Sequence, residues 1–275
     1  MFKPRRVAII GGSGQMGQWF SRYFKERGAA VTIYGRNAAR CRRVAKRLGV
    51  RCASSASGAV GGADLIVISV SVQNFAAAVA DLGRHVREGQ LVMDITSVKA
   101  MPVRLMHRHL NRATALGTHP MFGPLAEPKG QNFILTPTNA AERRFASALG
   151  SYLRDSGFNV VVISPARHDA IIGRVLSLTH FVGFVTADTW RELGMHRLMR
   201  TSSTSFMFLR SFVNSIVDSG PELYSYLQAN VPEAASAESL FVRKSAEWAR
   251  LAREKDERAL LKRMTGLREY MRRLG

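Results

Sequence analysis

The chain has 275 residues and a formal net charge of +20, with 40 Lys and Arg against 20 Asp and Glu. Hydrophobic residues make up 46%, which excludes a disordered chain and is enough for one large domain or two smaller ones. Two cysteines, Cys41 and Cys52, exclude a disulfide scaffold, and no cysteine–histidine cluster has metal-ligand spacing. No metal is expected, and a reducing cytoplasm is the expected setting.

The apolar run Val7 to Ile10 is too short for a signal sequence. The longest charge-free apolar stretch, Val175 to Ala187, falls short of the about 20 residues of a membrane span and reads as a buried helix. The positive field attracts anions, nucleic acid among them. The basic residues are scattered along most helices, with no basic tail or zinc-finger pattern. They are therefore read as a general property of the surface, not as a nucleic-acid interface.

In chain order, Arg6 to Ile10 predicts a strand that ends in glycines. Gln15 to Arg27 predicts a helix with Met16, Trp19, Phe20, Tyr23 and Phe24 on one face, closed by Gly28. Ala30 to Tyr34 is a second strand and Ala38 to Leu48 a second helix, stopped by Gly49; Val50 to Ala53 is a short third strand. Asp64 to Val70 is a nearly continuous apolar run, as in a strand buried on both faces of a parallel sheet. A helix over Gln73 to Val86 and a strand over Gln90 to Ile95 follow. Further strands are expected over Thr114–Gly117, Asn132–Thr136 and Asn159–Ile163, with a helix over Ala140–Ser156. Such alternation predicts an α/β fold with βαβ units.

Beyond Pro165 the pattern is helical. His168 to Leu193 is apolar on most of its circumference, so it must be enclosed, and one small helical domain could hardly do that alone. A homodimer through this helix is expected. Ser239 to Leu274 predicts one long charged amphipathic helix. The expected architecture is an N-terminal Rossmann doubly wound sheet over residues 1–164, followed by an all-helical substrate and dimerisation domain over 165–275.

Gly12-Ser13-Gly14-Gln15-Met16-Gly17 is a GxGxxG between a strand and a helix, the context that gives this short motif meaning. Gly12 would make the tight turn, Gly14 would admit a pyrophosphate, and Gly17 would let the helix pack closely. The N–H groups of Gln15, Met16 and Gly17 would face the phosphates. Ser69 and Val70, at the end of a later strand, are further cofactor candidates. An acid at the end of the second strand would bind the ribose 2′-hydroxyl of NAD; the chain has Tyr34-Gly35-Arg36-Asn37 instead, with Arg40 following. A guanidinium there suits a 2′-phosphate, so NADP is preferred, with NAD as the alternative.

Three segments carry the candidate chemistry. Asp94-Ile95-Thr96-Ser97-Val98-Lys99 closes a strand at the sheet edge where ligands bind. Gly117-Thr118-His119-Pro120-Met121-Phe122-Gly123-Pro124 follows the next strand. His168-Asp169 and the later Leu176-Ser177-Leu178-Thr179-His180-Phe181 open the helical part. Removing hydride from a carbinol needs a base for the hydroxyl proton, and histidine titrates in the right range. Of the seven histidines, His85, His107, His109 and His196 sit in polar helical surroundings and read as surface residues. His119 lies in an apolar loop bracketed by Gly and Pro. His180, in an apolar helix, reads equally as a satisfied core residue, and His168-Asp169 as a helix cap.

Together DITSVK, GTHPMFGP, the later HD pair and LSLTHF resemble the prephenate/arogenate dehydrogenases, as does the opening VAIIGGSGQMGQWF, especially in its archaeal form. The resemblance covers about residues 5–230. It implies that His119 accepts the 4-hydroxyl proton of the substrate. It implies that Ser97 hydrogen-bonds that histidine or hydroxyl, and that His168 and His180 line the pocket, His180 near the substrate. Thr118 is placed with the substrate-binding residues. Hydride would pass from C4 to the nicotinamide, and loss of CO2 would complete aromatisation. The family places a carboxylate-binding arginine before its ELY segment; counting back from Pro221-Glu222-Leu223-Tyr224 gives Ser215. Arg210, Arg174 or Lys99 would have to substitute, or the substrate differs. No C-terminal regulatory domain of the family's kind is expected. The alternatives are an arogenate dehydrogenase, a related NADP-dependent oxidoreductase, or a non-catalytic cofactor sensor or nucleic-acid-binding protein.

Overall fold

The computed structural model describes residues 2–195, 202–218, 220–231 and 234–273. His196, Leu274 and the side chains of Glu222 and Leu223 lie outside the described residues. The chain divides into two compact units at Ile172/Gly173.

The first unit is an eight-stranded sheet of order β3-β2-β1-β4-β5-β6-β7-β8. The strands are β1 (Arg6–Ile10), β2 (Ala30–Tyr34), β3 (Arg51–Cys52), β4 (Leu65–Ile68), β5 (Leu91–Asp94), β6 (Thr114–Pro120), β7 (Asn132–Thr136) and β8 (Asn159–Val162). All neighbours are parallel except β6 and β7. The helices are α1 (Gln15–Glu26), α2 (Ala38–Leu48), α3 (Ala56–Val60), α4 (Val72–Leu82), α5 (Ala100–His109), α6 (Ala140–Arg154) and α7 (Pro165–Ile172).

The period-2 alternation of the central strands divides the core. Val7, Ile9, Leu65 and Val67 pack under α1, α2 and α6 with Trp19, Phe20, Phe24, Val44 and Leu149. Ala8, Ile10, Ile66 and Ile68 pack on the other face with Val60, Phe75, Val79, Leu82 and Met106 from α3, α4 and α5. The sheet is thus covered on both faces, as its continuous apolar runs require. β1 lies between β2 and β4, so the chain changes winding direction there, and in sheets of this kind ligands bind beyond the carboxyl ends of the strands at such a point.

The described residues of the second unit contain helices alone. A π-helical turn (Gly173–Ser177) leads into α8 (Leu178–Glu192), followed by α9 (Thr204–Val217), α10 (Pro221–Asn230), α11 (Ala234–Arg253) and α12 (Glu257–Arg272). A Cβ on Gly183 would lie 2.5 Å from Ile216 Cδ1, so a glycine is what lets α8 and α9 cross closely.

Three expectations change. The helix expected over Ser239–Leu274 is two: Lys255 takes the left-handed φ of +54°, and the Asp256 carboxylate accepts the Ala259 N–H at 2.9 Å, which starts α12 afresh. The helix expected over His168–Leu193 begins at Pro165 and is interrupted by the π turn. The compact units part after Ile172, not at Ser164–Pro165, because His168 and Asp169 hydrogen-bond back to the sheet unit. Among the described residues the run Pro165–Glu192 is the one helical stretch long and apolar enough, by composition, to cross a membrane. Those same hydrogen bonds tie its first turns to the sheet instead.

Candidate active site

The first half of the site is a glycine cradle at the carboxyl end of β1. Gly11 takes φ +82°, and a Cβ there would lie 2.1 Å from the Ser69 carbonyl oxygen. Cβ atoms on Gly12 and Gly17 would lie 2.5 Å from Ile33 Cβ and 2.6 Å from the Gly11 carbonyl oxygen. The left-handed residue of the turn is therefore Gly11, one position ahead of the motif, and not Gly12. Its signal was the doubled glycine itself.

Gly14 caps α1 without a side-chain hydrogen bond, and no acid stands in the first turn. The first helical bond runs from Gln18 N to Gly14 O at 2.9 Å. The N–H groups of Gln15, Met16 and Gly17 precede it and remain at the positive end of the helix. A bare backbone and a helix dipole fit the pyrophosphate of a dinucleotide. Ser69 and Val70, half-buried, follow β4 beside this turn. Arg36 and Arg40 are exposed beyond β2, with no acid between them.

The second half is a buried polar chain at the ends of β5 and β6. β6 pairs with β5 through Leu116 and then runs on, pairing antiparallel with β7 from Gly117 to Pro120. His119 therefore sits within a strand, opposite Ile134, and not in the loop the sequence suggested. Gly117 is where β6 must be bare: a Cβ there would lie 2.4 Å from Thr136 Oγ1 and 2.5 Å from Val103 Cγ2.

Below this strand lies a buried ion pair between Lys99 Nζ and Asp94 Oδ2, both side chains wholly excluded from solvent. Lys99 Nζ also donates to the Thr118 carbonyl at 2.6 Å. Asp94 accepts the Thr118 N–H at 3.1 Å and the Thr96 N–H at 2.9 Å, and the hydroxyls of Thr96 and Thr118 close on its carboxylate and carbonyl. Burial pushes the Lys99 ammonium down from its ordinary range, against the pull of Asp94. Every polar atom of Thr118, proposed from the sequence as substrate-binding, is thus engaged inside the protein, where it braces the strand. Lys99, equally enclosed, is not available to bind a substrate carboxylate.

His119 Nδ1 lies 2.9 Å from His168 Nε2, and His168 Nδ1 lies 2.7 Å from Asp169 Oδ1. The Asp169 carboxylate also accepts the N–H groups of Lys99 at 2.7 Å and Ala100 at 2.8 Å, capping α5. Burial alone would raise its pKa, but the hydrogen bonds from His168, Ala100 and Lys99 hold it below the usual carboxylate range. An ionised carboxylate requires His168 to donate from Nδ1 and leaves its Nε2 as an acceptor. His119 must then donate from Nδ1, so its Nε2 carries the free lone pair. Burial, helped by the neighbouring His168 and then by the charge of Lys99, holds His119 well below its ordinary pKa, and burial likewise lowers His168. Ser97, half-buried on the turn after β5, makes no described hydrogen bond to His119; the partner is His168. His168 is wholly buried behind His119 and supports it through this hydrogen bond. Asp169, the residue that sets the tautomer, was read from the sequence only as part of a helix cap; the adjacent HD pair was its signal.

In the helical unit, His180 is 7% exposed, with its ring centroid 4.0 Å from that of Tyr224. Its Nδ1 has no hydrogen-bond partner among the described residues, and burial pushes its pKa down to about 4. Ser215 is exposed on α9, and its hydroxyl donates to the Phe212 carbonyl of its own helix at 2.7 Å. Arg210 on the same helix is half-buried, and Arg174 is exposed.

Cradle and sheet define a Rossmann-type nucleotide-binding protein with a buried, neutral histidine at the carboxyl edge of its sheet. Residues 20–164 match the family described as prephenate dehydrogenase, nucleotide-binding domain, and the chain belongs to that family. It is 31% identical over 263 residues to a probable arogenate/prephenate dehydrogenase of Methanocaldococcus jannaschii, covering 94% of this chain and 59% of that one. The chain thus spans less than two thirds of that relative's length. Its fold is similar to that of Aquifex aeolicus prephenate dehydrogenase in complex with hydroxyphenyl propionate and NAD+, at TM-score 0.78 and 21% identity over 98% of each chain. It is also similar to Synechocystis arogenate dehydrogenase, at TM-score 0.72 and 18% identity over 97% of this chain and 99% of that one.

Removing one partner of the Asp94–Lys99 pair leaves the other charged in a dry interior. Lys99→Met is expected to lose about 3–5 kcal/mol of unfolding free energy in a urea titration, and the double variant D94N/K99M to recover part of that loss.

Proposed function

We propose that the chain is a cytoplasmic NADP-dependent prephenate dehydrogenase, converting prephenate to 4-hydroxyphenylpyruvate and CO2 in tyrosine biosynthesis. The observation that carries this reading is the chain His119–His168–Asp169, which leaves one lone pair, on His119 Nε2, at the ligand edge of a sheet that also bears the glycine cradle. The nicotinamide supplies the hydride acceptor when it is bound at the cradle.

The 4-hydroxyl of the substrate loses its proton to His119 Nε2 as the C4 hydride departs. His119 is neutral beforehand, so it is ready as a base across the physiological pH range. As it becomes imidazolium, the ionised Asp169 opposes the new charge through His168. Electrons of the bond to the departing carboxylate then complete the aromatic ring. Within the helical unit, His180 is neutral with a ring nitrogen that has no described partner, and Arg210 is the one cation on α9. Arogenate would undergo the same steps and yield tyrosine; both substrates belong in the first assay.

His119→Asn and Asp169→Asn are expected to lower kcat by about 10²–10⁴-fold, measured at 340 nm with saturating NADP. A lowered histidine pKa places the basic form above it, so kcat/KM should stay flat from neutral pH to below 6.5 and fall only as pH drops through that lowered value. Turnover of neither prephenate nor arogenate by a protein that still binds NADP would overturn the assignment.

Arg36 and Arg40 stand where an acid would select NAD, and they support the choice of NADP. Arg36→Ala is expected to raise KM for NADP by roughly 10–100-fold and to leave KM for NAD nearly unchanged. An equal change in both would show that the guanidinium does not read the 2′-phosphate.

A homodimer through the helical unit completes the proposal. Val175, Val185, Met207, Leu209 and especially Phe208, 74% exposed, leave an apolar surface on the π turn, α8 and α9 of a single chain. Light scattering should give twice the chain mass, and Phe208→Glu should shift it toward one.

A further inference from the structure

The two cysteines lie on neighbouring elements at the edge of the sheet. Cys41 is wholly buried in the second turn of α2, with its Sγ 3.7 Å from the Ile33 carbonyl. Cys52 is half-buried in β3 and stands opposite Ile33 in the ladder. The two sulfurs are 2.7 Å apart, and both are free thiols. A disulfide bond is about 2.04 Å, so bond formation needs a shift of well under 1 Å at the sulfurs. β3 is the weakest strand of the sheet: it has two residues and pairs through Arg51 and Cys52 alone. Cross-linking at that point gains most where the strand's own hydrogen bonds are fewest.

We propose that Cys41 and Cys52 are a thiol–disulfide modification site, whose oxidised form staples α2 to the edge strand β3 beside the segment bearing Arg36 and Arg40. The oxidant is a low-molecular-weight disulfide. Cys52, the partly exposed thiol, attacks it as thiolate and expels one thiolate from the reagent. Cys41 then attacks the Cys52 sulfur of the mixed disulfide, losing its proton and expelling the second. Two protein thiols are oxidised by two electrons and one reagent disulfide is reduced to two thiols. The order follows from access and acidity: burial and the neighbouring Cys52 push the Cys41 thiol up to about 12, and the charge part of that effect ends once Cys52 is in the mixed disulfide.

The test uses the native full chain exposed to oxidised glutathione. Intact mass under non-reducing conditions should fall by two hydrogens, iodoacetamide should modify neither cysteine, and a peptide map should join the Cys41 and Cys52 peptides. The oxidised form should melt about 5–10 °C above the reduced form, and dithiothreitol should reverse the shift. Cys52→Ser should show neither the mass change nor the shift. Should that variant fold poorly, the oxidised and reduced wild-type forms carry the comparison alone. Two alkylatable cysteines after oxidation, a persistent glutathione adduct on Cys52, cross-linking between chains, or an intramolecular bond with no change in melting would each overturn the proposal.

Discussion

The ion pair between Asp94 and Lys99 is the constraint on which the site depends. Neither group touches water, so neither tolerates loss of the other. The pair does more than neutralise itself. Asp94 accepts the N–H groups of Thr96 and Thr118, and Lys99 donates to the Thr118 carbonyl. That fixes β6 just where it leaves β5 and carries His119 beyond the parallel sheet. A surface pair would be worth little here, because solvent would screen it and leave the strand end free. Buried and multiply bonded, it sets a single geometry.

Asp169 performs two tasks with one carboxylate. It caps α5, which has no side-chain cap of its own, and it orders the protons of His168 and His119. Stability of the helix and the tautomer of His119 are therefore coupled. The tautomer of His119 is imposed from two residues away, through the wholly buried ring of His168. Burial of the two rings keeps the His119 imidazole neutral.

The two units bury apolar surface differently. The sheet unit has paired cores on its two faces, reinforced by an aromatic cluster that links Trp19 of α1 to Phe122 near the site at 4.9 Å between ring centroids. The helical unit leaves Phe208, Leu261, Met264 and Leu267 largely exposed in a single chain. Its helices are apolar beyond what one copy encloses, which is why the sequence pattern alone pointed to a second copy.

The strands and most helices were legible because their signals are local. Alternation of 2 and 3.6 residues, glycine stops and a GxGxxG between strand and helix need no distant partner. The break at Lys255 was missed because Glu254-Lys255-Asp256 interrupts a charged pattern without a glycine or proline, and the cap lies in the Asp256 carboxylate. By itself the sequence determined the Rossmann order, the glycine turn, and His119 as the residue to follow. Only the tertiary structure decided that Thr118 and Lys99 close on Asp94, that His168 stands behind His119, and that two cysteines meet. Those outcomes depend on which side chains converge from segments far apart in the chain, and neither spacing nor composition encodes that distance.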